Sequence, residues 1–569
     1  MSSQPIVIDK WYEGIAESPH AGLGLIRNGD IEAFPNAIKV GRKPATIFHT
    51  AISVTFTADA STDICTAASA VIARSSIAVT FSSSGTLPAG LVAGTIYFIS
   101  KVSSTTFKVC TTLSNSLSGV TVVDITDAGT GTHTMTSVNP GTINHIIKAL
   151  ITAGNAHTAY YMQDSNNRIW MYMPTGASEY TELEAFTALI TGNTLTSGSG
   201  NGLALLTTSS ASAHYLFAFR NAAIDVIDVT SSIGVAWSNS WKTMNTGSST
   251  ANSHQAIRAQ DAIIYFCDAR YVGSIQENSG SVFAPGSAGT YTYNNQALDL
   301  PVGEIAQCLE EQSTNLLIGG NKFNKIYPWD RTSDSFSLPL EVPEVSVKKL
   351  KNNGSKVYIL AGTNGNIYST LGTSVQFEKK IPDYVSNNSG TLQATIVTWG
   401  GVTTRNGALL FGAGVLTTGN SGVYLLYPDG RLIIDSVPST GSANAVSLYA
   451  DDYFYYMGYA SGADKIGTTR YSSFETIVHS DFFRVATKTE KGTLSVLEVV
   501  TAKPASTGNI RVSYRADTTG TFSVIDTFTA DGSTVTFKND GIGLSDLENM
   551  QVLVEMDGDM ELVEVRFMP

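Results

Sequence analysis

From about His145 to Ser473 the chain repeats one pattern, and no other feature limits its fold as strongly. One unit reads Lys356-Val-Tyr-Ile-Leu-Ala-Gly-Thr-Asn-Gly-Asn-Ile-Tyr-Ser-Thr370: an apolar run, an Asn-Gly pair, a second apolar run. Asn-Gly between two such runs signals a hairpin, because both residues tolerate positive φ. Related units join Ala159–Met162 through Asp164–Asn167 to Ile169–Tyr172, Tyr215–Phe219 through Asn221 to Ile224–Ile227, and Ala262–Phe266 to Tyr271-Val272. Others join Asn315–Gly320 to Lys325–Tyr327, Ala408–Phe411 to Gly422–Leu426 and Pro428–Arg431, and Tyr453–Tyr456 to Lys465-Ile466. These seven units are each roughly 40–55 residues long, the period of propeller blades. Most follow another short apolar run, such as Ile146–Ile151, Leu203–Leu206 or Val446–Tyr449, which predicts three or four strands per unit. A lone four-stranded blade cannot bury both faces, whereas radial stacking buries them and leaves only short edges. The expected fold is all-β: a β-propeller of about seven blades, six or eight being alternatives. Two β-sandwiches with periodic hairpins are the competing architecture.

The flanking regions differ in pattern. Residues 1–51 hold Trp11, the turn Ser18-Pro19, and Asn28-Gly29, which again signals a hairpin. This segment is expected to contribute strands to the propeller, closing the ring, or to dock as an arm on a neighbouring subunit. Residues 52–138 are dense in Thr and Ser, with strands expected at Ile77–Phe81, Thr95–Val102, Thr106–Cys110 and Val120–Ile125. Phe107, Val109 and Val122 are expected in a small core, making this an inserted small all-β module between the first strands and the propeller repeats at 139–473. Within the repeats, Leu183, Phe186 and Ile190 fit either a short helix or an outer blade strand. Residues 474–569 comprise a connector to 490 and a C-terminal β-sandwich. There Ile510, Val512 and Tyr514 alternate with Arg511, Ser513 and Arg515, and Val563, Val565 and Phe567 with Glu564 and Arg566. Such period-two alternation marks strands with one solvated face.

Charge and cysteine usage narrow the chemistry. Only 15% of residues are charged, and 35 basic against 48 acidic side chains leave a net charge of −13. The one basic cluster is Lys348-Lys349-Leu-Lys351, too little for sequence-independent DNA binding, which needs many phosphate-neutralising cations. An acidic wall repels phosphate, so such a chain suits surrounding DNA without gripping it. Cys65, Cys110, Cys267 and Cys308 are scattered without a CxxC pair, which predicts buried free thiols rather than zinc ligands or a disulfide framework. Met1-Ser-Ser-Gln-Pro lacks a signal-peptide pattern, and no run of about 18 apolar residues occurs, so cytoplasmic synthesis without a membrane span is expected.

No catalytic, cofactor-binding or metal-binding constellation emerges, and a non-enzyme without cofactor is expected. Gly198-Ser-Gly200-Asn-Gly202 lacks the strand–turn–helix frame of dinucleotide binding. Asp451-Asp452 and Asp557-Gly558-Asp559 are paired carboxylates without the further oxygen ligands that calcium takes, and Asp557-Gly558 reads as a hairpin turn. Asp517-Thr-Thr-Gly-Thr-Phe522 is a single, wrongly spaced likeness to a sialidase box. Tyr160-Tyr161 and Tyr453–Tyr456 fit either a sugar-stacking platform or packing between blades.

Three stretches together carry a likeness. Gly14–Val40 resembles the opening of tailed-bacteriophage structural proteins. Gly85–Ile99, Thr105–Val109 and Ala128–His133 resemble a small β module of phage virion proteins. Val499–Ala505 with Ile510–Arg515 is similar to the β-sandwich that ends several phage propeller proteins. The resemblance covers about a third of the chain and implies a virion tail component, most similar to the nozzle or tail-tip hub of short-tailed phages. It implies a homo-oligomeric ring, a hexamer favoured, around the DNA exit channel, with tail adaptor and fibre or spike proteins as neighbours and a part in genome ejection. The alternative is a carbohydrate-binding propeller acting as receptor-binding protein or depolymerase.

Overall fold

The structure is a computed structural model. It describes residues 6–8, 23–31, 37–152, 156–175, 185–190, 200–220, 223–230, 237–245, 254–382, 401–414, 421–439, 444–451, 454–473, 475–480, 483–485, 492–516 and 520–569.

Each apolar repeat folds as an antiparallel meander, and the connections among the first three strands of each blade are too short for a parallel crossover. Blades one to six span 143–189, 200–243, 256–299, 306–341, 347–380 and 402–436, each with four strands paired in chain order. Blade seven takes three strands from 447–470 and its outermost one, Arg42–Thr46, from the N-terminal segment. The seven inner strands touch in cyclic order, and Ser447–Ala450 returns to Ile143–Ile151. The fold is therefore a seven-bladed β-propeller closed by a strand from the other end of the chain.

The hairpin chemistry differs from the expected in two places. Val357–Ala361 and Asn366–Thr370 do pair, but positive φ falls on Gly362 and Gly365, so the Asn364-Gly365 pair belongs to a four-residue loop and is not itself a two-residue turn. Asn28-Gly29 makes no hairpin. Asn28 has φ 55°, with Leu23–Arg27 before it in one sheet and Gly29–Asp30 after it in another. The left-handed residue is a corner at which the strand changes sheets. Of the residues offered to a helix or an outer strand, Phe186–Leu189 forms the outer strand of blade one, while Leu183 lies outside the described residues.

The C-terminal sandwich shares strands with the N-terminus. One sheet holds Gly29–Asp30, Ile38–Val40, Glu561–Met568, Val496–Thr501 and Thr536–Asn539, with Ile6–Ile8 also against Glu561–Met568. The other runs Leu23–Arg27, Thr476–Ser480, Asn549–Met556, Asn509–Arg515, Ser523–Thr529. Of the described residues among 1–51, then, only Arg42–Thr46 supplies a strand to a blade. The second sheet continues into the propeller, because Leu23–Arg27 also pairs in parallel with Leu432–Ser436, the outer strand of blade six. Leu497, Val499, Ile510, Val512, Val552, Val554, Val565 and Phe567 fill the space between the sheets. Val563 departs from the alternation: a register shift opposite Val500 and Thr501 leaves it partly exposed and turns Leu562 inward.

The insertion is a closed six-stranded barrel made of Ser53–Asp59, Ile64–Ala67, Ala78–Ser83, Tyr97–Lys101, Thr106–Cys110 and His133–Ser137. Phe107 and Val109 are in its core, but Val122 is not. Residues 120–125 form no strand beyond a bridge from Val122 to Cys110, and the inward residues are Val123 and Ile125. A helix, Leu113–Ser118, precedes them, capped by the Thr112 side chain on the Asn115 amide. Cys65 and Cys110 are both buried in the barrel without a disulfide, and all four cysteines are free and buried. Burial pushes the thiols of Cys65 and Cys308 up to about 12 and that of Cys110 to about 11. A thiol reagent at pH 8 is therefore expected to label none of the four in native protein and all four after denaturation; fast native labelling would contradict this burial.

Candidate functional site

The aromatic residues do not form a platform. Tyr160, Tyr161, Tyr455 and Tyr456 are all buried, and the Tyr160 and Tyr456 rings lie 4.2 Å apart between blades one and seven. Large rings on these strands fill the wedge that opens between radially arranged sheets. Tyr453 lies outside the described residues.

The paired carboxylates resolve into structural roles. Asp451 accepts from Lys148 Nζ at 2.5 Å and Tyr160 Oη at 3.0 Å, while Asp452 lies outside the described residues. Asp557 and Gly558, the latter at φ 69°, turn between Asn549–Met556 and Glu561–Met568, and Asp559 accepts from the Ser506 and Thr507 amides. Gly202 lies against the His254 carbonyl, where a Cβ would collide. In the sialidase-like stretch residues 517–519 lie outside the described residues. Among the described residues no group of three or more His, Cys, Asp and Glu is placed to hold a metal ion, and no helix is long and apolar enough to cross a membrane.

A feature the sequence reading missed is a circle of carboxylates beneath one face. In six blades an acidic side chain sits where the second strand ends and the third begins. Asp164 accepts from the amides of Gly141, Asn166 and Arg168 and from Trp170 Nε1, at 2.9–3.0 Å. Asp225 takes the Arg220 guanidinium and the Ser240 amide. Asp268 takes the Asn245 amide. Glu304 takes the amides of Ile305, Lys322 and Phe323 and the Tyr327 hydroxyl. Glu344 accepts from Asn364, Asn366 and Tyr368, and Asp464 from Ser439 and Tyr459. Apart from Glu344, whose donors are side chains, each carboxylate accepts from at least one backbone amide, so the circle fixes the turns of this face. Only Asp164 and Asp268 end an apolar strand just before its turn; Asp225 and Asp464 lie in third strands, and Glu304 and Glu344 precede first strands, so no single sequence position marks the circle.

Burial raises the carboxyls of Asp464 and Asp268, that of Asp268 from 3.8 to about 7 against the lowering effect of the Asn245 bonds. The folded protein then keeps a proton that the unfolded chain releases. This group's contribution to stability is whole below pH 3.8 and is lost as pH rises through about 7. Asp268→Asn is expected to remove that slope from a plot of stability against pH between 4 and 7; an unchanged slope would assign it elsewhere.

Two basic side chains lie on inner strands at this level. Lys349, on the inner strand of blade five, is only 7% exposed, and burial lowers its ammonium to about 8. His145, on the inner strand of blade one, is pushed down to about 3, first by burial and then by the Lys349 charge. Blades one and five stand three places apart around the ring, and the Lys349 charge disfavours protonation of His145.

Both appended modules attach to blade seven's outer strand. Ile38–Val40 leads from the sandwich into Arg42, and Thr46 leads out to the barrel. The strand is about 17 Å long, and the modules leave from its opposite ends. The barrel is docked onto blade one: Arg74 Nη2 donates to the Thr187 carbonyl at 2.7 Å, and Phe48 meets Trp170 edge to face at 5.3 Å. A cleft of about 550 Å³ lies at this junction, lined by Phe48, His49, Arg74, Lys101 and Ala185.

No protein-family model and no curated protein matches the chain. Solved structures similar to it include the Cps50 (Swd1) β-propeller domain of Myceliophteria thermophila, at 10% identity over 58% of this chain and 96% of that one, with a TM-score of 0.38. YCF48 bound to D1 peptide is similar at 9% identity over 59% and 96%, with a TM-score of 0.38. The computationally designed Ika8 protein is similar at 12% over 57% and 96%, with a TM-score of 0.33. In each case the likeness is one of fold, and the seven paired meanders described above identify that fold as a β-propeller with an inserted β-barrel and a C-terminal β-sandwich.

Proposed function

We infer that the chain is a structural component of a bacteriophage tail, a nozzle or tail-tip hub. Copies of it form a ring around the DNA exit channel, support adhesins and take part in genome ejection. The supporting observation is the mounting of two folded modules at opposite ends of one blade edge, with the barrel bonded to blade one and the sandwich sharing a sheet with blade six. Such a body holds attachments in fixed directions, which is what a hub requires. The DNA path is the space enclosed by the ring of copies, and the net charge of −13 suits a wall along which phosphate slides.

Electron microscopy of native particles, with a labelled antibody to residues 52–138, tests this. Label around the tip of a short tail, with a closed ring in axial view, is the expected result. Label along fibres or spikes would overturn the hub and favour receptor binding, and particles without label would remove the phage assignment.

A further inference from the structure

The inserted barrel carries a regular face that its own packing does not use. Val54, Phe56, Cys65, Val79, Phe81 and Met135 point into the core, so alternate residues on their strands point outward. Eight outward hydroxyls lie together on four neighbouring strands. Thr55 stands opposite Thr134, which stands opposite Ser82. Ser53, Thr136 and Thr80 form a second row, and Thr57 stands opposite Thr66. The grid repeats at about 4.8 Å across the strands and about 6.8 Å along them. None of these hydroxyls bonds to another described residue. Each therefore keeps one donor and two acceptor positions for a ligand.

The face is also without charge. Residues 52–138 hold seven charged side chains, all outside the grid. Arg74 and Lys101 face the junction with blade one, Lys108 lies on Thr106–Cys110, and the four aspartates stand at or in turns and loops. A cleft of about 520 Å³ runs beside Thr55, Thr57 and Thr66, walled by Ala128, Gly129, Gly131 and Thr132, and no Asp, Glu, Lys or Arg lines it. The central strand of the grid, Ser53–Asp59, stands three strands from Tyr97–Lys101 in the six-stranded barrel, hence on its opposite side. Tyr97–Lys101 is the strand on which helix Leu113–Ser118 packs, and its Phe98 joins Phe48 and Trp170 in the blade-one core. The grid thus points away from the propeller. The chain is described without a break from 37 to 152, so both flanks of the module are known.

Nucleic acid needs cations for its phosphates, and protein partners need apolar or aromatic anchors; the grid offers neither. Uncommitted hydroxyls at regular spacing match a ligand that itself presents hydroxyls at regular spacing and no charge. We propose that this face of the barrel binds a neutral polysaccharide, with Thr55, Thr57 and Thr134 exchanging hydrogen bonds with its hydroxyls and the adjoining cleft seating the chain. The site is independent of the hub reading above.

Affinity electrophoresis of the full chain tests it, in native gels containing dextran, mannan or galactan as neutral polymers and alginate as an acidic one. At least one neutral polymer is expected to retard the protein, and alginate to leave its migration unchanged. Thr55→Val with Thr134→Val removes two hydroxyls at nearly constant shape and keeps β-branched residues on the strands, so the barrel is expected to fold, which circular dichroism checks. That variant is expected to bind about tenfold more weakly, the effect of two ordinary hydrogen bonds. Thr57→Val alone is expected to bind about threefold more weakly, a second readout should the double variant not fold. Excision of 52–138 is expected to abolish retardation. No retardation by any of the three neutral polymers would overturn the proposal. So would equal retardation by alginate, unchanged binding by the folded valine variants, or retardation that survives excision, which would assign binding to the propeller. Self-association lost in the double variant, with no retardation of the parent chain, would give the face to a second copy instead.

Discussion

Deletion of residues 1–46 is expected to abolish soluble, cooperatively folded protein. The deletion removes the outer strand of blade seven and, with Ile6–Ile8, Leu23–Arg27, Gly29–Asp30 and Ile38–Val40, the strands that complete both sandwich sheets and tie one of them to blade six. Ile26, Ile38 and Val40 are buried in the core that joins blades six and seven to the sandwich. Each such side chain contributes about 1.5–3 kcal/mol by burial, so loss of these three alone approaches the 5–15 kcal/mol net stability of an ordinary domain. The comparison is excision of the larger segment 52–138, closed by a short Gly-Ser linker. Its ends already meet, since Ser137 N donates to the Ile52 carbonyl at 2.9 Å. That variant is expected to stay folded with a lowered Tm, because the uncovered face of blade one is local. Expression, circular dichroism and melting of the two proteins decide the matter. A folded 47–569 chain would show that the ring does not depend on its N-terminal strand.

Asp225→Ala is expected to cost about 3–5 kcal/mol. Arg220 and Asp225 are 3% and 0% exposed, and the aspartate also accepts the Ser240 amide at 2.6 Å. Removing the carboxylate takes the counter-ion from a buried guanidinium. The exposed pair Arg431 and Asp429, 2.7 Å apart, provides the contrast, and Asp429→Ala is expected to change stability by no more than about 1 kcal/mol. Denaturant titration of both variants measures the difference; equal effects would mean that burial does not set the cost.

Local patterns were legible in the sequence and distant pairings were not. Each blade hairpin joins strands a few residues apart, so Lys356–Thr370 or Asn315–Tyr327 shows its apolar runs and its turn within one short window. Nothing within a window tells Leu23–Arg27 that its partners are Thr476–Ser480 and the outer strand of blade six. Asn28-Gly29 misled for the same reason, since a left-handed residue serves a corner as well as a turn. Val563 and Val122 failed by one residue each, because a register shift and a single bridge reverse which side chain points inward. The carboxylate circle was hidden by composition: Asp164 and Glu304 look like surface residues until the amides they serve are seen.

The closure of the ring also sets an order of events during synthesis. Asn28 Nδ2 donates to the Glu475 carbonyl and the Gly41 amide to Thr476 Oγ1, contacts 447 and 435 residues apart in the chain. At ribosomal speeds of about 5–20 residues per second, the first strands wait on the order of 20–90 s for their partners to be translated. Six blades can assemble in sequence during that interval, while an apolar N-terminal segment remains open to chaperones or to strand exchange with another nascent chain. The return of these N-terminal strands is thus a late event of folding, and translation rate and polysome spacing become determinants of how much protein closes on itself.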